Sequence, residues 1–342
     1  MSNNEKKNDD ELYEHHNIKV DKYQSLLRID KFLIDKIPGT SRNKIQDGIQ
    51  NGYVKVNEVV VKQNYKVKPL DKISVSFPAP PRNEEIIPEK IDINIKYEDE
   101  DLLIVNKKAG MVVHPSYNNW TGTLVNGLVY YFKNLPIMPK NNGRPGLVHR
   151  IDKETSGLLV VAKNEKSMIS LAKQFFDHSI KRKYVALIWG EPKNKEGTID
   201  VNLGRSIKDR RVVCAYTKND KGKKAITHYK VIESFYYVSI IECQLETGRT
   251  HQIRAHMKHI GHPIFNDKVY GGDKILKGTV FSKYKKFVEN CFTIIPRQAL
   301  HAKSLGFIHP RSKKKISFES SLPEDFGGVI AKWKKYTEGQ KD

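Results

Sequence analysis

The sequence predicts an α+β protein in two parts: a small α/β domain, then a larger domain built on a mixed, largely antiparallel β-sheet. Three observations lead there. Helical spacing followed by a hairpin pattern fills 21–80. Pro78-Ala79-Pro80-Pro81 then places residues that continue neither a helix nor a ladder. Beyond them, strand-length apolar runs outnumber helical patterns and do not alternate strictly with them, unlike a doubly wound parallel sheet. The expected layout is a disordered tail over 1–20, a domain over 21–80, a stiff linker over 81–90, a large domain over 91–332 and a C-terminal tail over 333–342.

In the first domain, Leu26, Leu27, Ile29, Phe32, Leu33 and Ile37 recur at helical spacing, and Pro38-Gly39 stops that helix. Ser41 is placed to cap a second helix that buries Ile45 and Ile49, with Gly52 just past its end. Val54 and Val56, the turn Asn57-Glu58, Val59-Val60-Val61 and the strand Ile73–Phe77 complete a helix–helix–hairpin–strand order.

In the second domain, the alternation of Ile91, Ile93, Ile95 and Tyr97 predicts a half-buried strand. Further strands are expected at Leu102–Val105, Gly157–Ala162, Lys183–Trp189, Ala225–Ile232, Val238–Leu245 and Lys314–Phe318. Helices are expected over 122–132, 166–178 and 251–260, the last capped by Thr250 and ended by Gly261.

Composition narrows the function. Sixty Lys and Arg against 39 Asp and Glu leave the 342-residue chain at +21, which suits a polyanionic partner, nucleic acid before a membrane surface. No apolar run reaches the length of a membrane helix, and 1–14 lacks the apolar segment of a secretory signal, so a cytoplasmic protein is expected. Three distant cysteines, odd in number, argue against a disulfide framework and a cysteine-based zinc site.

Four stretches could carry chemistry. Gly146–Val161 sets a loop rich in charges and hydroxyls, with Arg150, Asp152, Lys153, Thr155 and Ser156, directly before an apolar strand. Asp152 between two cations should be ionised. Lys181–Gly190 places Tyr184 behind three basic residues, either as a half-buried strand aromatic or as a stacking platform for a base. Leu245–Pro263 puts Arg254 at the border of the apolar face of Ile253, Met257 and Ile260, where partial burial would demand an anion. Its four histidines do not match a zinc spacing. Arg297–Ala302 on its own reads as a core strand with satisfied histidines. His149–Asp152 and Asp325-Phe326-Gly327 imitate kinase motifs, but neither the downstream Asn nor a nucleotide loop accompanies them, and no Gly-x-Ser-x-Gly elbow supports a hydrolase.

Two resemblances organise these residues. Arg28–Leu33, Ser41–Gln46 and Gly52–Asn57 resemble the S4 RNA-binding domain, which implies phosphate contacts by Arg28, Lys31, Arg42, Lys44 and Lys55. His149–Asp152 with Thr155–Leu158, Leu103–Lys107 with Gly110 and Val113–Pro115, Lys183-Tyr184 and Thr247–His256 together resemble the RluA/RluD-type RNA pseudouridine synthases, in the family's motif order. Ile151 departs from the usual Leu, and Lys108 from the usual Pro.

The second resemblance implies isomerisation of uridine to pseudouridine with no cofactor and no metal. It implies Asp152 at the sugar C1′, Arg254 as its buried partner and Tyr184 against the uracil. It also implies Arg150 in the space the flipped base vacates and Leu300 beneath the base. The expected partner is large-subunit ribosomal RNA, with helix 69 of 23S rRNA favoured; no membrane partner is expected, and the enzyme is expected to be a monomer. A non-catalytic rRNA-binding or assembly protein, and a glycoside-cleaving enzyme acting on nucleic acid, are the alternatives.

Overall fold

The computed structural model describes residues 12–37, 40, 42–77, 86–116, 119–137, 144–207, 209, 212–217, 221–279 and 281–339. The expected helix stop at Pro38-Gly39, the Ser41 cap, the Pro78–Pro81 run and the first half of the 81–90 linker lie outside them. The chain divides into two compact units, Met1–Glu85 and Ile86–Asp342.

The first unit runs β1 (Tyr13–Lys19), β2 (Leu27–Arg28), α1 (Ile29–Lys36), α2 (Arg42–Gln50), β3 (Val54–Val56), β4 (Val59–Val60), β5 (Lys66–Val67) and β6 (Lys72–Phe77). One antiparallel sheet has the order β1-β6-β3-β4, and β2 pairs with β5. Ile29, Phe32 and Leu33 of α1 and Ile45 and Ile49 of α2 bury against Val54, Val56, Ile73 and Val75. Leu26, expected on the buried face of the first helix, precedes α1 and stays exposed. The turn between β3 and β4 is built from Asn57 and Glu58 at φ 47° and 68°, the left-handed pair that a two-residue hairpin needs.

The disordered tail expected over 1–20 is corrected for Tyr13–Lys19. These residues are polar, but strand pairing is a backbone interaction, and β6 has a free edge to satisfy. They pair with it from Tyr13↔Phe77 to Lys19↔Lys72. Val20, just beyond, is buried in the core.

The second unit runs β7 (Ile95–Glu98), β8 (Leu102–Lys107), α3 (Leu124–Tyr131), β9 (Ser156–Ala162), α4 (Glu165–Phe176), β10 (Lys181–Trp189), β11 (Glu196–Asp200), β12 (Asn202–Arg205) and β13 (Val213–Tyr216). It continues with β14 (Ile226–Phe235), β15 (Val238–Leu245), α5 (Gln252–His259), α6 (Ser282–Ile294), β16 (Leu300–Ile308), β17 (Lys315–Glu319) and α7 (Glu324–Glu338). The main sheet has the order β11-β14-β15-β10-β16-β9-β8-β7, and β17 adds to β16. Its pairings are antiparallel except β9 with β16, where His301 faces Ser156 and Ala302 faces Gly157. Gly157 is required there: at φ 115°, a Cβ would lie 2.3 Å from the Ala302 carbonyl oxygen.

Three expectations change. The alternating segment from Ile91 is a strand only over Ile95–Glu98, because Ile91 and Ile93 pack on α3 instead; a Cβ on Gly127 would meet them at 3.0 and 3.2 Å. The C-terminal tail expected from 333 is instead the end of α7, and Trp333 is fully buried against Trp189, Phe265 and Phe287. Helix α5 begins after His251, not Thr250. His251 adopts the left-handed conformation without a side-chain cap, while Gly261 at φ 84° follows the helix end as expected. Among the described residues no helix is long and apolar enough to cross a membrane.

Candidate active site

A cleft of about 500 Å³ opens on the second unit. Asp152, Tyr184, Arg254, Arg150 and Leu300 all line it, so one place holds all five residues that the sequence put forward from four separate stretches. Four arginines and a single carboxylate line it.

The loop carrying Asp152 is tied down on every side. His149 accepts the Val160 amide at 3.0 Å and stacks on Phe175 at 4.5 Å. The buried Lys107 Nζ donates to the carbonyls of Lys108, Met111 and Lys153 at 2.8–2.9 Å. Burial pulls the Lys107 pKa down to about 7, yet three carbonyls are served at once only by an ammonium with three hydrogens. Behind Asp152, Arg297 donates to the Glu154 carbonyl, Gln298 to Thr155, and the Ser156 hydroxyl pairs with His301. The Leu103–Lys107 motif and the Arg297–Ala302 stretch are therefore braces for the loop. His301 is satisfied at both nitrogens, its second partner being Ser320.

Strand periodicity places the aromatic. Residues two apart on β10 share a face, so Arg182 and Tyr184 both turn into the unit while Lys183 turns away and pairs with Glu242 at 2.9 Å. Burial, aided by the charge of Asp152, pushes the Tyr184 phenol above its ordinary pKa. Leu300, at the start of the neighbouring β16, is 4% exposed.

Helix α5 supplies the cation. Gln252 fastens its first turn, accepting from Thr247 and the Arg249 amide and donating to Ile226 and Thr227. Two residues on, Arg254 is 5% exposed and forks onto Asp267 through Nε at 2.7 Å and Nη2 at 2.9 Å. Its remaining Nη1 donates to Asp152 Oδ2 at 3.0 Å. Burial opposes the charge on Arg254, but Asp267 and then Asp152 outweigh it and raise the pKa. Asp267 is fully buried and also takes the amides of Val269 and Tyr270. The anion that the sequence demanded for Arg254 is thus two carboxylates, one closed inside the unit and one open to the cleft.

Two contributors, Asp267 and Tyr270, escaped the sequence reading, and His251 entered it only as a rejected zinc ligand. Asp267 sits in a stretch with no charge pattern, and its only signal was the need of Arg254 for an anion. His251 stands 3.8 Å from Asp152 Oδ2 and shares a hydrogen bond with the Tyr270 hydroxyl at 3.1 Å. Burial outweighs Asp152 and lowers the His251 pKa, keeping the ring neutral. The other three histidines of this stretch do not converge: His256 bonds Thr227 and Val201, His262 bonds Trp189, and His259 is exposed.

The five cations expected to meet phosphate fall in the first unit, and two of them, Arg28 and Arg42, gather on a buried Asp30. Arg28 forks onto its carboxylate at 3.0 and 3.1 Å, and Arg42 and Gln46 each reach it at 3.1 Å. Both arginines keep about half of their side chains exposed, 44% and 51%. Lys44 lies over the Phe77 ring at 5.4 Å, Lys31 is exposed and Lys55 half-buried.

Arrangement and ancestry agree. The family model described as RNA pseudouridylate synthase matches residues 101–259, and the S4 domain matches 27–73. An uncharacterised RNA pseudouridine synthase of Chlorobaculum parvum is 44% identical over 315 residues, covering 92% of this chain and 96% of the relative. The ribosomal large subunit pseudouridine synthase D of Zymomonas mobilis is 42% identical, covering 87% of this chain and 91% of its own. Human RNA pseudouridylate synthase domain containing 1 superposes with a TM-score of 0.51 at 26% identity, covering 69% of this chain and 85% of its own. With a buried arginine holding a lone cleft carboxylate inside that fold, and relatives matched over nearly their whole length, the chain belongs to the RNA pseudouridine synthases, isomerases of uridine in RNA, and carries an S4 domain.

Proposed function

We propose that this enzyme isomerises uridine in 23S large-subunit rRNA, with helix 69 as the favoured target, and that Asp152, Tyr184 and Arg254 carry the chemistry. The observation that carries the site assignment is the Asp267–Arg254–Asp152 chain. It fixes one carboxylate at the cleft and leaves Asp152 Oδ1 without a hydrogen-bond partner among the described residues. The large-subunit reading draws on relatives named ribosomal large subunit pseudouridine synthase D, from Zymomonas and Neisseria, and on the S4 domain.

In the reaction the C1′–N1 bond breaks, the uracil turns, and a C1′–C5 bond forms. The C5 proton leaves at the end, so atoms balance without a cofactor. Asp152 faces the sugar as a carboxylate, either bonding to C1′ or removing a sugar proton first. Arg254 aims it through the 3.0 Å hydrogen bond to Oδ2. Tyr184 offers a ring face to the uracil, and its raised pKa keeps the hydroxyl protonated. A paired uridine has to leave the stack to reach this cleft, at a cost of a few kcal/mol. Arg150, exposed at the cleft edge, takes the vacated space, and Leu300 packs beneath the base.

The test uses transcribed large-subunit rRNA with tritium at uridine C5. Wild type releases tritium, and Asp152→Asn releases it at least about 1,000-fold more slowly while binding RNA within a few-fold of wild type. Pseudouridine mapped to helix 69 supports the substrate assignment. Modification elsewhere in the transcript refutes helix 69, and equal release by Asp152→Asn refutes the site.

A further inference from the structure

Three arginines of the second unit are buried: Arg182, Arg254 and Arg297. Arg254 is held by Asp267 and Asp152, and Arg297 forks onto Asp325 at 2.7 and 2.9 Å. Arg182 is the exception. It is 7% exposed, and no carboxylate among the described residues pairs with it. Its Nη2 donates to the Glu246 carbonyl at 3.1 Å, and its Nε is buried without any partner. The Phe175 ring covers one face of the guanidinium at 5.4 Å.

A buried cation without a counter-charge is costly, and folded proteins keep one where something else supplies the anion. Arg182 lines the same cleft as Asp152. The neighbouring lining residue, Gly248, puts no side chain on the Nη1 edge, where a Cβ would stand 2.7 Å from Nη1; Nη1 makes no hydrogen bond among the described residues and, unlike Nε, is not fully buried. Arg182 also shares a strand face with Tyr184, two residues on, which places a cation one residue pair from the ring proposed for the uracil. RNA brings one phosphodiester on either side of each nucleoside.

We propose that Arg182 is a substrate-binding residue whose Nη1 edge takes a non-bridging oxygen of a phosphodiester flanking the uridine in the cleft, with Gly248 as the opening to it. This deepens the assignment of the cleft as the active site, and it does not depend on which RNA is modified. His149, which also stacks on Phe175, adds no competing positive charge beside Arg182, its pKa lowered to about 3 by burial and then by Arg182.

The experiment uses the full-length enzyme and total RNA labelled with tritium at uracil C5, taken from cells that lack this enzyme, so the true substrate is present whatever its identity. Release is followed against RNA concentration and salt for wild type, Arg182→Gln, Arg182→Lys and Gly248→Ala. For Arg182→Gln, kcat/KM falls at least tenfold through KM, and the slope of its logarithm against log salt shrinks by about 0.7, one single-strand phosphate contact. Arg182→Lys restores the slope. Gly248→Ala, which keeps the arginine and crowds its open edge, raises KM several-fold even if Arg182→Gln fails to fold. An unchanged KM in Gly248→Ala, a loss confined to kcat in Arg182→Gln, or an unchanged salt slope overturns the proposal. A failure of the cleft assignment reads differently: Asp152→Asn would then release tritium like wild type in the same assay.

Discussion

The two units solve one electrostatic problem with opposite polarity. In the S4 unit a buried acid, Asp30, gathers Arg28 and Arg42 and presents their half-exposed guanidinium groups to water. In the catalytic unit a buried acid, Asp267, grips a buried arginine, and the charge left facing the cleft is the carboxylate of Asp152. The first device offers cations, useful anywhere along a phosphate backbone. The second offers one anion at one point, inside a cleft otherwise lined with arginines. In both, the outward-facing charge is held by a partner hidden from solvent, so the hidden residue is the one to mutate.

The strongest break is Asp267→Asn. It leaves Arg254 buried with half its fork, so turnover drops roughly 1,000-fold and the unit loses about 3–5 kcal/mol of stability. Tritium release and thermal unfolding measure the two. Arg254→Lys is next: it keeps the charge but cannot fork onto Asp267 while reaching Asp152, and kcat falls about 100-fold. Retained kcat would mean that charge, not geometry, holds Asp152.

Asp30→Asn sharpens the other side. Hydrogen bonds from Arg28, Gln46 and Arg42 overcome the burial that would raise the Asp30 pKa and bring it from 3.8 to about 2. The stabilisation is therefore complete above pH 3.8 and is lost as pH falls towards 2. It is worth at most about 2 kcal/mol. Hydrogen exchange of first-unit amides from pH 5 to 2 should show an acid-sensitive step in wild type that Asp30→Asn lacks. The smallest effect is that of Lys31→Ala and Lys55→Ala. Each reduces the slope of log affinity against log salt by about 0.7–0.9 without altering kcat; a changed kcat would make them more than phosphate contacts.

How much of this was legible follows from what each residue does. Asp152, Tyr184 and Arg254 stand in dense, ordered motifs, and the cleft does bring them together. The apolar runs of β8, β9, β10 and β15 were legible because each is a short, strand-length apolar stretch, too brief for a core helix. Tyr13–Lys19 was not, since its pairing uses backbone groups that composition does not report. Helices α6 and α7 were missed because their many lysines mask the stripe of Tyr284, Val288 and Cys291 and that of Phe326, Val329 and Trp333. Asp267 and Arg182 were invisible as a class: one is defined by a partner 13 residues away, the other by the lack of one.

The lone parallel pairing of the main sheet bears on how the enzyme is made. Ser156 and His301, joined across β9 and β16, lie 145 residues apart in the chain. At about 5–20 residues per second, roughly 7–30 s of synthesis separate them. Throughout that interval β9, whose seven residues are all buried in the finished protein, lacks the partner for its parallel edge. Non-local pairings of this kind close late. A nascent chain halted before Arg297 would already hold Asp152, Tyr184 and Arg254, yet it would lack Leu300 and the braces from Arg297, Gln298 and His301. Catalytic competence is therefore a property of the last stretch of translation, while the S4 unit is complete within the first quarter of the chain.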